Sequence, residues 1–378
     1  RLPPIQKTTT ENISIKEEHY QGEYVIDLAD EFFQIHQDQY AEFHFDEISS
    51  VFISFALDHI ITQIKNTLQS FDIIFDRFQS EKEIIQAGLI QQKLDIIKKH
   101  EFLYEQDGKI WFKSTAFGDD KDRVVMRDTQ DPTYFASDIA YHAQKLDRGF
   151  DKLVNVWGAD HAGYEKRLQS ALSALGYPTD VLHIIFVQMV HLLREGKPVK
   201  LGKRSGNLIL IEDLLKEIGK DAARFFFIMR KTDAQLEFDL DLAKAETMDN
   251  PVFYVQYGHA RMASILRKAK EQGYNEILPF EGFQNFLTLP EESMLAKKIL
   301  EFSAAIEQSA LNYEPHRMVY YLQDIIKTFH SYYTQYKNTE KIVTSDVDKT
   351  KARLFLCWCV KQVIHNGLAL LGIESKSA

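Results

Sequence analysis

Apolar residues recur at intervals of three and four along YVIDLADEFFQIHQDQYAEFH (24–44) and FDEISSVFISFALDHIITQIKNTL (45–68), a spacing that predicts two amphipathic helices. The short run FDIIFDRF (71–78) reads as a strand. Helical spacing returns over 80–100, with Ser80 as N-cap and Glu83 three residues on, the pattern of a capping box. FLYEQDGKIWFKS (102–114) alternates on both sides of Asp107-Gly108, which predicts a β-hairpin.

From about residue 130 the pattern becomes α/β. A helix is expected over 131–146, with Asp131 as N-cap and Pro132 at its first position. The apolar strand KLVNVWGAD (152–160) turns at Gly158 into a segment from 161 that is helical to Gly176, and a further strand-like run covers 179–193. Strand, glycine turn, helix, strand is the order of an open parallel sheet, whose ligands bind beyond the carboxyl ends of its strands. WGADHAGY and KLGKRSG are expected at such ends. After about residue 248 only amphipathic helical segments follow, at 250–274, 292–311, 314–337 and 348–373, predicting a helical bundle as a separate domain.

Composition narrows the class. At 378 residues and 45% hydrophobic content the chain can support two or three domains with sizeable cores. Its 45 Lys and Arg against 55 Asp and Glu give a net charge of -10, which argues against indiscriminate nucleic-acid coating but leaves room for local basic patches. The two cysteines, Cys357 and Cys359, supply neither a disulfide framework nor a four-cysteine zinc site, so a reducing cytoplasmic setting is expected. No apolar run reaches membrane-span length, and no signal-peptide pattern is present.

Four stretches carry candidate chemistry. In KPVKLGKRSGNL, Lys200 and Lys203 surround Leu201 and Gly202; the stretch reads either as a solvated turn or as a loop whose ammonium groups close over a polyphosphate. WGADHAGY places Gly158, Asp160, His161 and Gly163 at a strand end, either as an ordinary connection with a capping Asp or as a nucleotide-docking turn. Tyr134 and Asp138 lie four apart on one helical face, with His142 a turn further; a phenol and a carboxylate together could grip a guanidinium, whose planar fork suits a carboxylate. The tyrosines of the last segments, Tyr332 and Tyr333 among them, are either core edges or stacking surfaces for unpaired RNA bases. GDDKDR (118–123) reads as a charged loop rather than a metal site.

The stretches AFGDDKDRVVMRDTQDPTYFASDIAYHAQKLDRGFDKLVNVWGADHAGY, FVQMVHLLREGKPVKLGKRSGNLILIEDLL, YQGEYVIDLA, NPVFYVQYGHAR and NGLALLGIES resemble the bacterial arginyl-tRNA synthetases of class I, the two long central blocks most specifically. The resemblance covers roughly residues 17–378. It implies a Rossmann-type nucleotide-binding catalytic domain over 1–248, with an insertion at about 20–125 and the lysine-loop region at about 197–248, then an all-α anticodon-binding domain over 249–378.

Residue by residue, the resemblance implies that Tyr134, Asp138 and His161 recognise L-arginine. It implies that Gly158, Asp160, His161 and Gly163 shape the ATP site, and that Lys200 and Lys203 hold the triphosphate and act in catalysis. Magnesium would accompany ATP, no zinc is expected, and tRNA(Arg) is the macromolecular partner. A cytoplasmic monomer that engages neither DNA nor membrane is expected. Two features depart from the family. The loop usually reads Lys-Met-Ser-Lys-Arg, whereas Leu201 and Gly202 stand here, and the His-x-Gly-His element of class I enzymes occurs nowhere in the sequence. The expectation is a chain lacking the upstream part of a longer enzyme, or alternatively a non-catalytic tRNA-binding protein derived from the family. A sister synthetase, such as that for cysteine, is disfavoured by the scarcity of zinc-ligating cysteines and by the Tyr134 and Asp138 pair.

Overall fold

The computed structural model describes residues 24–40, 42–199 and 210–377. The first two helices form as the periodicity predicts, α1 at Tyr24–His36 and α2 at Phe45–Ser70. They meet through Phe32, whose ring lies 4.2 Å from that of Phe52 and 5.2 Å from that of Phe55. The expected strand at 71–78 is not one. A strand needs a neighbouring backbone to satisfy its amides, and this stretch has no ladder partner among the described residues; Ile74 is 80% exposed.

The helix expected over 80–100 is two, α3 at Glu81–Gln86 and α4 at Leu89–Lys99, because Gly88 takes a left-handed φ of 67° between them. Ser80 sits at the N-cap but its side chain makes no capping bond, and Glu83 instead accepts from Gln79 Nε2 at 2.8 Å. The hairpin is formed by β1 (Leu103–Gln106) and β2 (Lys109–Phe112), with Asp107 at φ 52° and Gly108 at φ 69° as the primed turn requires. A third strand, β3 (Arg123–Met126), adds antiparallel to β2. The acidic loop before it pairs internally, Arg123 donating to both oxygens of Asp119 at 2.8 Å, which holds the Asp119 carboxyl well below the usual carboxylate range.

Helix α5 (Tyr134–Asp147) begins later than the Asp131-Pro132 reading placed it. Thr133 is its N-cap and accepts from the Ala136 amide, whereas the Asp131 carboxylate is occupied by the Thr129 hydroxyl at 2.7 Å. Strand β4 (Leu153–Gly158) pairs in parallel with β5 (Leu182–Val187) through a 3-10 turn at Ala159–Tyr164 and helix α6 (Glu165–Ala174). The run 179–193 holds two strands of different sheets. It breaks at Gln188, whose amide turns to the Thr232 carbonyl, and β6 (Val190–Arg194) pairs antiparallel to β7 (Lys197–Pro198) and parallel to β8 (Leu236–Asp239). The periodicity reading passed over α7 (Ile211–Ile218), α8 (Lys220–Ile228) and α9 (Leu240–Lys244).

Beyond residue 248 the described residues form α10 (Pro251–Glu271), α11 (Pro290–Leu300), α12 (Phe302–Leu311), α13 (His316–Tyr336) and α14 (Val347–Leu370). The segment 292–311 thus divides at Glu301. One apolar core runs without interruption from Leu192, Phe225 and Phe238 into Met262, Leu322 and Ile364, so α8 and β8 pack against the bundle rather than beside it. Inside the bundle Arg353 Nε donates to Glu292 Oε1 at 2.7 Å, both side chains being fully buried.

Candidate active site

Helix α5, strand β4 and the turn after it enclose a cleft of about 680 Å³. Tyr134, Asp138 and His161 line it together. Tyr134 is the first residue of α5 and stands 78% exposed at the mouth, and Asp138 is one turn deeper and half-buried. Trp157 and Tyr164 form an aromatic wall, their rings 5.8 Å apart and edge to face.

Asp138 is held at both ends. Its carboxylate Oδ2 accepts from the Tyr164 hydroxyl at 2.6 Å, and its backbone carbonyl accepts from His142 Nδ1 at 2.8 Å. The other nitrogen of His142, Nε2, receives a hydrogen bond from Asn155 Nδ2 of β4 at 2.7 Å. An amide nitrogen can only donate and a carbonyl can only accept, so this pairing fixes a neutral imidazole with its proton on Nδ1. Burial agrees, pushing His142 down to about 4. His142 is therefore a buried strut between α5 and β4, on the same cleft wall as Tyr134 and Asp138.

Burial raises the Asp138 carboxyl above the ordinary carboxylate value, against the pull of the Tyr164 hydrogen bond. The same cleft wall carries Lys145, half-buried with its Nζ 4.1 Å from the centre of the Tyr141 ring; burial lowers its pKa and the Asp138 charge opposes that shift. A half-buried carboxylate beside a flat aromatic wall is an arrangement that a planar cation would satisfy. Tyr164, Asn155 and Lys145 escaped the sequence reading. Lys145 alone left a trace there, since it falls seven residues after Asp138 and so on the same helical face.

The turn after β4 is open to solvent. Asp160 and His161 are mostly exposed, His161 Nε2 lying 3.8 Å from Asp160 Oδ2. Gly158 is tightly approached, since a Cβ there would stand 2.6 Å from Asp160 Oδ1, whereas nothing lies within 4 Å of one built on Gly163. A Cβ at Gly158 would meet only the end of the exposed Asp160 side chain, which is free to move aside, and none of the described residues crowds Gly163. Lys200 and Lys203 lie outside the described residues. Tyr332 is no stacking surface: it is 3% exposed and its hydroxyl donates to the buried Glu292 at 3.1 Å. Tyr333 is half-buried beneath the Arg261 guanidinium, 5.1 Å from its ring centre.

Residues 3–248 match the family model described as tRNA synthetases class I (R), catalytic domain, and residues 255–377 match that of the DALR anticodon binding domain. The chain belongs to the arginyl class I tRNA synthetases. It is 42% identical over 367 residues to the arginine–tRNA ligase of Syntrophotalea carbinolica, covering 97% of this chain and 65% of that protein. It is 43% identical over 369 residues to that of Desulforamulus reducens, covering 97% and 64%. The chain therefore spans just under two-thirds of the length of these curated relatives.

Among solved structures, one described as an arginyl-tRNA synthetase from Campylobacter jejuni superposes with a TM-score of 0.83 at 32% identity, covering 97% of this chain and 78% of that one. The Thermus thermophilus arginyl-tRNA synthetase superposes with a TM-score of 0.73 at 21% identity, covering 93% and 69%, and speaks for the fold alone. The Rossmann-type α/β part followed by a helical anticodon-type domain, expected from the sequence, is the architecture of an arginyl-tRNA synthetase.

Proposed function

We propose that this chain carries the arginine-recognising and anticodon-binding parts of an arginine–tRNA ligase, which activates L-arginine with ATP to arginyl-adenylate and passes the arginyl group to tRNA(Arg). The observation that carries the reading is the half-buried, doubly held Asp138 carboxylate in a cleft shared with Tyr134 and His161. A guanidinium placed there would return to the carboxylate the charge stabilisation that burial removes, and its planar fork distinguishes it from an ammonium.

In this reading Tyr134, Asp138 and His161 bind arginine. Gly158, Asp160, His161 and Gly163 shape the adenosine end at the open turn after β4. Lys200 and Lys203 neutralise charge on the pyrophosphate as the arginine carboxylate attacks the α-phosphate, a role that rests on the family likeness. Magnesium accompanies ATP by bridging its phosphates, and no zinc takes part. The catalytic part is placed at 1–248, including an insertion at about 20–125, and the anticodon part at 249–378. The protein acts as a cytoplasmic monomer with tRNA(Arg) as its macromolecular partner and contacts neither DNA nor membrane; no described helix is long and apolar enough to cross one.

The test is arginine-dependent charging of tRNA(Arg) with ATP, run on this chain and on a form extended to the length of its relatives. Charging by either form, strongly weakened by Asp138→Asn, supports the reading. Absence of charging by both forms, with tRNA still bound, would replace it with a non-catalytic tRNA-binding protein.

A further inference from the structure

Three chain segments far apart in sequence converge on one guanidinium. Arg224 of α8 donates through Nε to the Leu371 carbonyl at 2.7 Å and through Nη1 to the Phe71 carbonyl at 2.7 Å. Leu371 is the C-cap of α14 and Phe71 the C-cap of α2, and both are 4% exposed. Helix ends leave carbonyls without intrahelical partners and carry partial negative charge, so a cation shared by two such ends satisfies both at once. The fit is close: Gly372 runs at φ 67°, and a Cβ there would lie 2.6 Å from the Arg224 guanidinium.

Neighbouring contacts lock the same junction. Lys220 pairs with Asp72, and the Thr67 hydroxyl of α2 donates to Glu212 of α7. On the bundle side Asp221 accepts from the Glu374 amide at 3.2 Å and from Gln256 at 2.8 Å. Four residues past Phe71 stands Phe75, which lines the cleft with Tyr134 and Asp138. Residues 71–78 have no sheet partner among the described residues to fix them.

We infer that Arg224 is a positioning residue that ties the closing end of the helical bundle to the Phe75 wall of the cleft, so that arginine binding depends on how the bundle is docked. An Arg is needed because two carbonyls on different helices require a fork; an ammonium at this position can serve one well but not both. The kinetic part of this inference rests on the reading of the cleft as the arginine site.

The experiment compares wild type, Arg224→Lys, Arg224→Met and Gly372→Ala at the full length of the relatives. Amide exchange is followed at residues 73–76, and the KM values for arginine and ATP are measured separately in charging assays. The expected result is faster exchange at 73–76 in all three variants, with α5 unchanged. Arginine KM should rise roughly 5- to 20-fold in Arg224→Met and Gly372→Ala, less in Arg224→Lys, with ATP KM unmoved. Unchanged exchange at 73–76 overturns the inference whatever the reaction is. Faster exchange with unaltered arginine KM, and only a lower melting temperature, overturns it by reducing Arg224 to a structural staple. A wild type that does not charge arginine instead removes the functional reading, and the exchange arm then decides the brace alone.

Discussion

The Tyr164 hydroxyl donates to Asp138 Oδ2 at 2.6 Å, linking the turn after β4 to the middle of α5 across the cleft. The bond leaves Oδ1 and a second lone pair on Oδ2 for an incoming cation, and it favours the ionised carboxylate that burial disfavours. Removing it by Tyr164→Phe is expected to weaken arginine binding by about 1.5 to 3 kcal/mol, the range for a hydrogen bond to a charged group. The Asp138 carboxyl, already raised, should rise further, so the acid limb of the arginine KM profile should move to higher pH. Arginine KM measured from pH 5 to 8 in both proteins decides it; superimposable profiles would sever Tyr164 from the site.

Asp138 itself should matter through charge rather than shape. Asp138→Asn keeps the side-chain volume but leaves a guanidinium without its charged partner, and should cost arginine use about 2 to 4 kcal/mol. Discrimination against lysine should shrink together with it, because the fork that separates the two substrates has lost the group it grips. Competitive charging with arginine and lysine reads both effects. Near-normal arginine kinetics in the variant would place arginine elsewhere.

The His142 strut should show in acid stability. Its folded pKa is depressed from 6.5 to about 4, so between those values the unfolded chain binds the extra proton and the folded chain does not. Its contribution is therefore intact above pH 6.5 and lost as pH falls toward 4, by up to about 3 kcal/mol. His259, His316 and His330 are also lowered by burial and add to the slope of the whole protein. The decisive quantity is thus the difference in urea midpoint between wild type and His142→Gln from pH 7 to pH 5. That difference should narrow as pH falls; a constant difference would mean the ring is not held neutral.

These pairings explain what could be read from the chain and what could not. The hairpin at Asp107-Gly108 was legible because two left-handed residues dictate the turn locally. Strand β4 was legible from its apolar run, and the cleft residues Tyr134 and Asp138 from their four-residue spacing. FDIIFDRF was misread because a short apolar run reports only a preference, while a strand also needs a partner backbone, and none pairs with it among the described residues. The helix over 80–100 was overextended because a left-handed Gly88 is invisible to apolar periodicity. Tyr164 and Asn155 were missed since their contacts to α5 span 26 and 13 residues and exist only once the sheet is built. Tyr332 shows the reverse error, a spacing compatible with a surface stripe whose ring is taken inside by the buried Glu292 and Arg353 pair.

The crossing of α10 and α13 offers a stability test independent of any reaction. Gly258 of α10 sits so close to α13 that a Cβ would stand 2.4 Å from Ile326 Cδ1 and 3.2 Å from its Cγ2, in a site where both residues are buried. In an exposed helix Gly→Ala gains up to about 1 kcal/mol from propensity. Here the overlap should reverse the sign, and Gly258→Ala is expected to destabilise by about 1 to 3 kcal/mol, the usual range for overpacking. Trimming the opposing side chain should relieve it. Gly258→Ala with Ile326→Val should therefore lose less than the sum of the two single changes, a positive coupling of about 0.5 kcal/mol or more in a double-mutant cycle followed by urea unfolding. Simple additivity, or a stabilised Gly258→Ala, would show that the two helices are not in the close contact described.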